Sequence, residues 1–327
     1  MILGIEKIRE ISKGVVRVEE TEKGISFFRF TEEQQELYKE TNADFYSKSF
    51  ATAGVRLEFY TDSTSLAMEI ETTSASSRKW AMCDITVNGK LIGNIGSSET
   101  NIGTYFEKFD LGTGKKKVKI YFPYTAATWL KRFELDDGAQ VIPYESKCRM
   151  LMYGDSITHG YDAAMTSSSY ASLLADALDA NAINKGIGGE RFFPALAALS
   201  DDVDPDYITV AYGTNDWSGA TKENFDKNCA EFYKTLSQRN PRAKIFAITP
   251  IWRGDIEKRE PTKVGYFSYV SEYIKKVTAD LPNVTVIDAI DFVPKSEEFF
   301  KDLYLHPNAD GFAHYFENLY KEIKKYI

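Results

Sequence analysis

The sequence predicts an α/β protein in which an all-β sandwich or jelly roll precedes a parallel sheet flanked by helices. Before about residue 145, short alternating apolar runs are separated by turn signals, which is typical of all-β regions. After residue 149, strand-like apolar runs alternate with helical periodicity, which indicates a parallel sheet. The pattern changes around Pro143, and 327 residues exceed what one small core usually holds. We therefore expect one domain over 1–145 and a second over 146–327.

The first region contains short runs in which apolar and polar residues alternate. These runs predict strands over 55–60, 83–87, 90–92 and 117–122. Asn88-Gly89 lies between two of them and supplies the positive φ angles of a tight hairpin turn. The main helical segment of this region is 31–39.

The second region alternates strands and helices. Its predicted strands span 149–153, 181–184, 207–212, 244–249 and 284–288, and apolar residues at helical spacing predict helices around 170–178, 225–236 and 313–326. The carboxyl ends of parallel strands meet at one edge of the sheet, where open α/β sheets bind their ligands. We therefore expect the functional site at that edge.

Composition excludes several classes of function. A net charge of -8 argues against nucleic acid or an anionic membrane as partner, because both require a basic surface. Charged residues interrupt the apolar residues at the N-terminus, so we predict no signal peptide and a cytoplasmic location. Three widely spaced cysteines without a CxxC pair predict neither disulfides nor a zinc site. Because metal-ligand spacing and nucleotide-binding motifs are also missing, we expect no metal and no cofactor.

Four short segments at or after strand ends carry the side chains of an acyl-transfer site. They read Gly154-Asp155-Ser156-Ile157-Thr158-His159-Gly160, Asn184-Lys185-Gly186-Ile187-Gly188-Gly189, Gly213-Thr214-Asn215-Asp216 and Asp302-Leu303-Tyr304-Leu305-His306-Pro307-Asn308. In this order they resemble the block pattern of the SGNH (GDSL-type) hydrolases. The resemblance covers the second region and implies a flavodoxin-like hydrolase domain.

Ser156 is the predicted nucleophile. It needs a general base, because a serine hydroxyl is a weak nucleophile at neutral pH. Among the three histidines, His159 is tethered too close to Ser156, and His314 falls on the last helix, where a packed or solvated role is expected. The resemblance assigns the base to His306.

The carboxylate that would orient His306 departs from the family pattern. The family places an aspartate three residues before the histidine, where this chain has Leu303, and the nearest acid is Asp302, four residues before. We favour a one-residue bulge that lets Asp302 reach the imidazole. The alternative is a Ser-His dyad oriented by a backbone carbonyl, as in some carbohydrate esterases of the superfamily. Asp310 is predicted to cap the last helix.

The resemblance also implies the donors of an oxyanion hole, which stabilise negative charge in the transition state. They are the backbone amides of Ser156 and Gly189 and the side-chain amide of Asn215. Gly189 is chosen because the family's donor glycine follows an asparagine by five residues, here Asn184. Two alternatives stay open: the glycines form only a tight turn, and Asn215 is a simple helix cap.

Further residues near these segments are candidates for the substrate pocket. Trp217 and Trp252 follow segments at the sheet edge, where aromatic faces suit sugar rings; ordinary packing is the alternative. Glu190 and Asp162 lie near the site in sequence, with surface placement as the alternative. Asp155 is expected to hydrogen-bond backbone and steady the nucleophile turn.

A sandwich in front of an SGNH domain is similar to carbohydrate esterase family two. This resemblance implies a serine esterase that removes short acyl groups, usually acetyl, from small or oligomeric carbohydrates. The alternatives are a lipid acylhydrolase or thioesterase, and a catalytically weakened glycan-binding protein. The expected partner is a small-molecule or oligosaccharide acyl ester, and homo-oligomerisation stays open.

Overall fold

The computed structural model describes residues 1–78, 80–99, 102–259 and 261–327. The N-terminal region has strands β1 (Ser12–Lys13), β2 (Arg17–Thr21), β3 (Gly24–Phe28), β4 (Arg56–Thr61), β5 (Ser65–Ser74), β6 (Cys83–Val87), β7 (Lys90–Ile95), β8 (Gly103–Asp110), β9 (Lys116–Tyr121), β10 (Ala126–Leu135) and β11 (Val141–Pro143), with helices α1 (Ile5–Ile11), α2 (Glu32–Thr41) and α3 (Ala43–Ser49). The C-terminal region has strands β12 (Cys148–Gly154), β13 (Ala180–Asn184), β14 (Tyr207–Ala211), β15 (Lys244–Ile248) and β16 (Val284–Ile287), with helices α4 (Ser156–His159), α5 (Tyr170–Ala177), α6 (Pro194–Ala198), α7 (Thr214–Gly219), α8 (Lys222–Arg239), α9 (Ile256–Arg259), α10 (Phe267–Thr278) and α11 (Ala309–Ile323).

The N-terminal strands form two antiparallel sheets that share one core. One sheet has the order β2-β3-β10-β5-β8, and the other has the order β1-β4-β9-β6-β7 with β11 paired to β4. Leu66, Met68 and Ile70 on β5 are buried while their neighbours are partly exposed, which is the alternation of a strand with one face on the core. Buried residues of both sheets pack in one cluster. The predicted β-sandwich is confirmed.

The hairpin between β6 and β7 has the turn that the sequence predicts. Asn88 and Gly89 both have positive φ angles, 51° and 79°. An Asn-Gly pair adopts this conformation at low cost, and the resulting twist matches that of the flanking strands.

The C-terminal strands form one parallel sheet in the order β13-β12-β14-β15-β16. This is the flavodoxin-like order, in which the chain reverses its direction across the sheet at the first strand. Residues Met150–Tyr153 of β12 are all buried, as expected for a parallel strand that helices cover on both faces. The predicted α/β fold is confirmed, and β12, β13 and β14 carry three of the four predicted site segments at their carboxyl ends.

Part of the N-terminal region packs on the parallel-sheet region. Phe30 and Tyr38 are buried in the same cluster as Tyr153 and Tyr212 of the C-terminal region. The two regions also share polar contacts, such as the 2.8 Å hydrogen bond from Gly14 N to Asn181 Oδ1. The domain boundary between residues 145 and 146 stays a proposal.

The last helix begins earlier than the apolar periodicity predicts. α11 starts at Ala309, and its cap is Asn308, whose Oδ1 accepts a 3.0 Å hydrogen bond from Gly311 N. Asp310 lies in the first turn, so its predicted capping role is wrong. Within the described ranges, no helix has the length and apolar character needed to cross a membrane.

Candidate active site

Ser156 lies where β12 ends and the short helix α4 begins. Asp155 caps this helix, because its Oδ1 accepts a 2.9 Å hydrogen bond from Ile157 N. This is the backbone contact expected for Asp155. Burial raises the pKa of its carboxyl to about 6. The capped turn presents the Ser156 side chain at the carboxyl edge of the parallel sheet.

Ser156 and His306 are in direct contact. Ser156 Oγ lies 2.8 Å from His306 Nε2. His306 Nδ1 lies 2.6 Å from Asp302 Oδ2. With the His306 proton on Nδ1 donated to Asp302, Nε2 is free to accept the serine proton, which is the arrangement that a general base requires. The structure thus brings the three predicted catalytic side chains into one hydrogen-bonded chain.

The histidine loop (residues 300–308) accommodates its extra residue by a bulge. Leu303 takes a left-handed conformation, with φ of 67°. Asp302 Oδ1 accepts hydrogen bonds from the amides of Tyr304 (3.2 Å), Leu305 (2.8 Å) and His306 (3.0 Å). Burial alone would raise the pKa of Asp302, but the hydrogen bonds from the His306 ring and from the loop amides outweigh it and hold the pKa well below its ordinary value. Asp302 therefore stays ionised beside His306.

A second carboxylate near His306 is paired with an arginine of the N-terminal region. Arg78 Nε and Nη2 each donate to Asp162 at 2.8 Å. Arg78 Nη2 lies 3.3 Å from His306 Nδ1, and Asp162 Oδ2 lies 3.7 Å from the same atom. Ligand atoms of Asp162, Asp302 and His306 lie within 4.8 Å of one another, a spacing that a metal ion could bridge. The guanidinium of Arg78 places a cation there already, and the absence of a metal stays a prediction.

The glycine loop (residues 184–190) lies against the nucleophile turn. Ile187 N donates to Gly154 O at 3.0 Å, and Asn184 Nδ2 donates to Thr158 O at 2.7 Å. In the part of the chain that the structure describes, the backbone amides of Ser156 and Gly189 donate to no protein acceptor. Both amides thus remain available to a ligand.

Asn215 joins these amides from a third loop. It is the second residue of α7, whose cap is Gly213, so the alternative of a simple helix cap does not hold. Asn215 Nδ2 donates to Glu190 O at 3.1 Å, which places the side chain beside Gly189 and leaves its second N–H for another acceptor. The structure brings the predicted oxyanion-hole residues Ser156, Gly189 and Asn215 to one edge of the sheet.

Two cations of the N-terminal region hold the carbonyls of the glycine loop. Arg29 is fully buried and donates to the carbonyls of Asn184 and Gly186. Lys48 Nζ donates to Gly188 O at 2.9 Å. Burial lowers the pKa of Arg29 to about 9. Neither residue is predicted from the sequence, because no local pattern around 29 or 48 indicates a contact with this loop.

His159 contributes to the same support. Its Nε2 donates to Tyr124 O at 2.6 Å, while its Nδ1 accepts from Gly188 N at 3.3 Å. Burial lowers the pKa of His159 well below its ordinary value. The neutral ring therefore links the sandwich to the glycine loop. Both of its nitrogens are already hydrogen-bonded, so His159 does not serve as a base for Ser156.

Two of the residues predicted for the substrate pocket are buried elsewhere. Trp217 is fully buried, and its Nε1 donates to Gly265 O at 3.0 Å. Glu190 is buried with its two carboxylate oxygens accepting 2.6 Å hydrogen bonds from the Tyr38 and Tyr212 hydroxyls. Burial raises the pKa of Glu190 to about 8. The predictions for Trp217 and Glu190 are wrong, because both side chains belong to the core.

Trp252 lines a cavity, but the catalytic side chains lie elsewhere. This cavity has a volume of about 520 Å³, and its lining includes Tyr266 and Ile290 but neither Ser156 nor His306. The Trp252 ring packs edge-on against Phe300. The structure therefore gives Trp252 a packing role behind the histidine loop.

A larger cavity lies between the N-terminal and C-terminal regions, next to the histidine loop. Its volume is about 640 Å³. Its lining includes neither Ser156 nor His306, but it includes Arg78 and Asp162, which both contact His306. Trp80 and Tyr124 line another wall, with their rings stacked at 5.6 Å. Trp80 is not predicted from the sequence, because it lies in a loop of the sandwich far from the four site segments.

Comparisons with known proteins agree with the fold and give the family of the C-terminal region. The model of the GDSL-like lipase/acylhydrolase family matches residues 152–314. A salicylyl-acyltransferase from a tetracycline biosynthetic pathway has a TM-score of 0.82 at 23% identity, over 96% of this chain and 94% of that one. A putative GDSL-like lipase from Bacteroides ovatus has a TM-score of 0.79 at 18% identity, over 99% and 97%. A family two carbohydrate esterase from Clostridium thermocellum, in complex with cellohexaose, has a TM-score of 0.65 at 19% identity, over 84% and 93%. The comparison with curated proteins found no match.

Proposed function

Residues 152–314 are a GDSL-like lipase/acylhydrolase domain, and on this premise we propose that the protein is a serine esterase that removes short acyl groups, acetyl above all, from carbohydrates. The observation that carries the proposal is the hydrogen-bonded chain Ser156–His306–Asp302 at the carboxyl edge of the parallel sheet. An intact chain of this kind favours an enzyme over a glycan-binding protein.

The geometry supports an acyl-enzyme mechanism. Ser156 Oγ attacks the ester carbonyl as His306 Nε2 takes its proton, and Asp302 stabilises the imidazolium. The amides of Ser156 and Gly189 and the second N–H of Asn215 would receive the negative oxygen of the tetrahedral intermediate. His306 then protonates the leaving alcohol, and a water molecule activated in the same way hydrolyses the acyl-serine.

The cavity beside His306 supports a carbohydrate as the alcohol part of the ester. Its volume of about 640 Å³ is in the ordinary range of small-molecule sites. The Trp80 ring offers an aromatic wall that suits the apolar face of a sugar, and Lys301, Asn308 and Asp310 supply polar groups for hydroxyls. A lipid acyl chain would be disfavoured here, because charged side chains such as Arg78, Asp162 and Lys301 line the cavity.

A panel of esters tests the proposal. We expect p-nitrophenyl acetate to be hydrolysed faster than the butyrate, and the butyrate faster than the octanoate, with acetylated monosaccharides and xylo-oligosaccharides also deacetylated. Faster turnover of octanoate would move the assignment to lipid or thioester substrates. Binding of sugars without hydrolysis of any ester would make the protein a glycan-binding protein.

A matched pair of tryptophan variants tests the carbohydrate site. Trp80→Ala should raise KM for acetylated sugars and leave hydrolysis of p-nitrophenyl acetate nearly unchanged, because the small aryl ester does not need the aromatic wall. Trp129→Ala is the control, since Trp129 lies on β10 with Lys23 over its ring and does not line the cavity. Equal effects of the two variants on sugar esters would contradict the placement of the carbohydrate in this cavity.

A further inference from the structure

Lys48 connects the N-terminal region to the glycine loop at one peptide group. It lies near the end of α3, and its side chain is 9% exposed. Its ammonium donates to Gly188 O at 2.9 Å and also pairs with the Asp44 carboxylate four residues earlier. Among the described residues, Lys48 is the one hydrogen-bond donor to the Gly188 carbonyl. The Lys48 ammonium thus lies at the carbonyl side of the Gly188–Gly189 peptide group.

The other side of the same peptide group is the amide of Gly189. The Gly188 carbonyl and the Gly189 N–H belong to one planar unit, and in a trans peptide they point in opposite directions. A donor that holds the carbonyl therefore also fixes the direction of the N–H. The ammonium further draws electron density toward the carbonyl, which makes the N–H a stronger donor to a negative oxygen.

Two successive glycines flank this peptide group, so no side chain on either residue restrains its rotation. Gly189 has a φ of 89°, a conformation that glycine adopts at low cost. A side chain on Gly188 would collide with Tyr161, because a Cβ there would lie 2.4 Å from the Tyr161 hydroxyl. The contact with Tyr161 explains why residue 188 is a glycine. Rotation of the Gly188–Gly189 peptide would turn the Gly188 carbonyl oxygen toward the reacting oxygen. Such a carbonyl would repel the oxyanion.

The other contacts of the loop do not hold this unit. Gly188 N donates to His159 Nδ1, which orients the preceding peptide group, and Glu190 N donates to Ile187 O at 3.0 Å. Arg29 holds the carbonyls of Asn184 and Gly186. The orientation of the Gly188–Gly189 unit is therefore left to Lys48.

We propose that Lys48 is a positioning residue of the oxyanion hole, which holds the Gly188–Gly189 peptide with the Gly189 N–H directed at the substrate oxygen. The inference rests on the proposed function, because it assigns Gly189 N–H to the transition state of ester cleavage. It makes the N-terminal region a part of the catalytic apparatus through a residue that touches no substrate.

Kinetics of two variants test the inference on p-nitrophenyl acetate. Lys48→Met keeps the length of the side chain but removes the donor and the charge. We expect kcat to fall by about 10- to 100-fold with KM changed by less than about threefold, a smaller loss than the roughly 10²–10³ for removing an oxyanion donor outright. The rate of Ser156 phosphonylation should fall in step, because the tetrahedral adduct also carries an oxygen in the hole. Lys48→Arg should recover part of kcat, since it restores a cationic donor.

Asp44→Asn is the matched control, because it removes the ion-pair partner and leaves the Lys48–Gly188 hydrogen bond. It should retain kcat within about threefold of the wild type. A Lys48→Met variant with kcat equally close to the wild type, or with a loss confined to KM, would overturn the inference while the esterase assignment stands. A wild-type protein inactive on all esters would instead overturn the proposed function.

A crystal structure of the phosphonylated wild-type protein decides the matter if the Met variant does not fold. The inference requires Gly189 N within hydrogen-bond distance of the phosphonyl oxygen and Lys48 Nζ still on Gly188 O. A phosphonyl oxygen that Gly189 N does not contact would overturn it.

Discussion

The histidine loop and the glycine loop meet at Ser156, but they are held in opposite ways. The histidine loop is tied by its own groups: Asp302 accepts three amides of the loop, and Lys301 N donates to His306 O at 2.8 Å. The carbonyls of the glycine loop accept from Arg29 and Lys48, which lie 140 to 157 positions away in the chain.

This difference shows which loop of the site each region holds in place. A loop closed by near neighbours keeps its backbone geometry within one region. Among the residues that the structure describes, the sandwich reaches the base only through the side chain of Arg78, which lies 3.3 Å from His306 Nδ1. A loop held by buried cations depends on the fold of the distant region, and breaking such a contact costs about 3–5 kcal/mol when a buried charge loses its partners. Substitutions at Ser156 and in each loop test that division.

The two loops meet at Ser156, and its substitution should give the largest loss of kcat. Ser156→Ala should lower kcat by about 10⁶, because the attacking group is gone while both loops stay intact. Ester hydrolysis and circular dichroism measure activity and fold. A serine-directed phosphonate should label the wild type at Ser156 alone, and an Ala variant that keeps a tenth of the activity would contradict a serine mechanism.

Asp302 tests the self-contained histidine loop. Asp302→Ala should lower kcat by something approaching 10⁴, because His306 loses both its tautomer constraint and its countercharge. Asp291→Ala, an exposed acid paired with Lys295, is the control and should behave as the wild type. A loss below about tenfold in Asp302→Ala would favour the alternative of a dyad oriented by a backbone carbonyl.

Glu190 tests how the glycine loop is joined to the N-terminal region, because its carboxyl accepts from Tyr38 as well as from Tyr212. Its pKa, raised by burial from 4.5 to about 8, means that its contribution to stability is full below pH 4.5 and is lost as the pH rises through about 8. At about 1.4 kcal/mol for each pH unit, the loss approaches about 5 kcal/mol.

Chemical denaturation of the wild type and Glu190→Gln at pH 5 and pH 8.5 measures this effect. The Gln side chain does not ionise, so the variant should lose less free energy of unfolding between the two pH values than the wild type does. Parallel losses in the two proteins would show that Glu190 is already ionised at pH 5.

Among these four positions Asn215 gives the smallest expected effect, and it tests a loop held within the C-terminal region. Arg253 Nη1 donates to Thr214 O and Oγ1, so the loop should survive a change at Asn215. Asn215→Ala should lower kcat by roughly 10²–10³ with little change in KM, as expected for a donor used mainly in the transition state. Steady-state kinetics measure kcat and KM of the variant, and a rise in KM alone would make Asn215 a substrate-binding residue.

Sequence patterns predicted those features that near neighbours determine. Alternating apolar residues predicted the sandwich strands, and continuous apolar runs predicted the parallel strands. The spacing of apolar residues shows whether one or both faces of a strand are buried. Asn88-Gly89 predicted its hairpin turn, and the offset of Asp302 predicted the bulge that Leu303 makes. In each case the interacting groups lie within a few residues of one another.

Burial of a side chain by residues distant in the sequence could not be predicted in the same way. Trp217 and Glu190 follow site segments in sequence, yet Trp217 packs on Phe267 and Glu190 turns inward to two tyrosines. Trp80 lines the cavity beside His306 although it belongs to the sandwich. Which way a side chain at the sheet edge points depends on the elements packed around it, and their identity is not a local property of the sequence.

The sequence by itself determined the fold class, the order of the strands that carry the site segments, and the near-neighbour chemistry of the nucleophile turn and the histidine loop. Only the tertiary structure decided which residues support the glycine loop. Arg29 and Lys48 meet its carbonyls because the segment around residues 29–50 packs on the parallel-sheet region, and hydrogen bonds between residues so far apart in the chain leave no periodicity, spacing or turn signal to predict them.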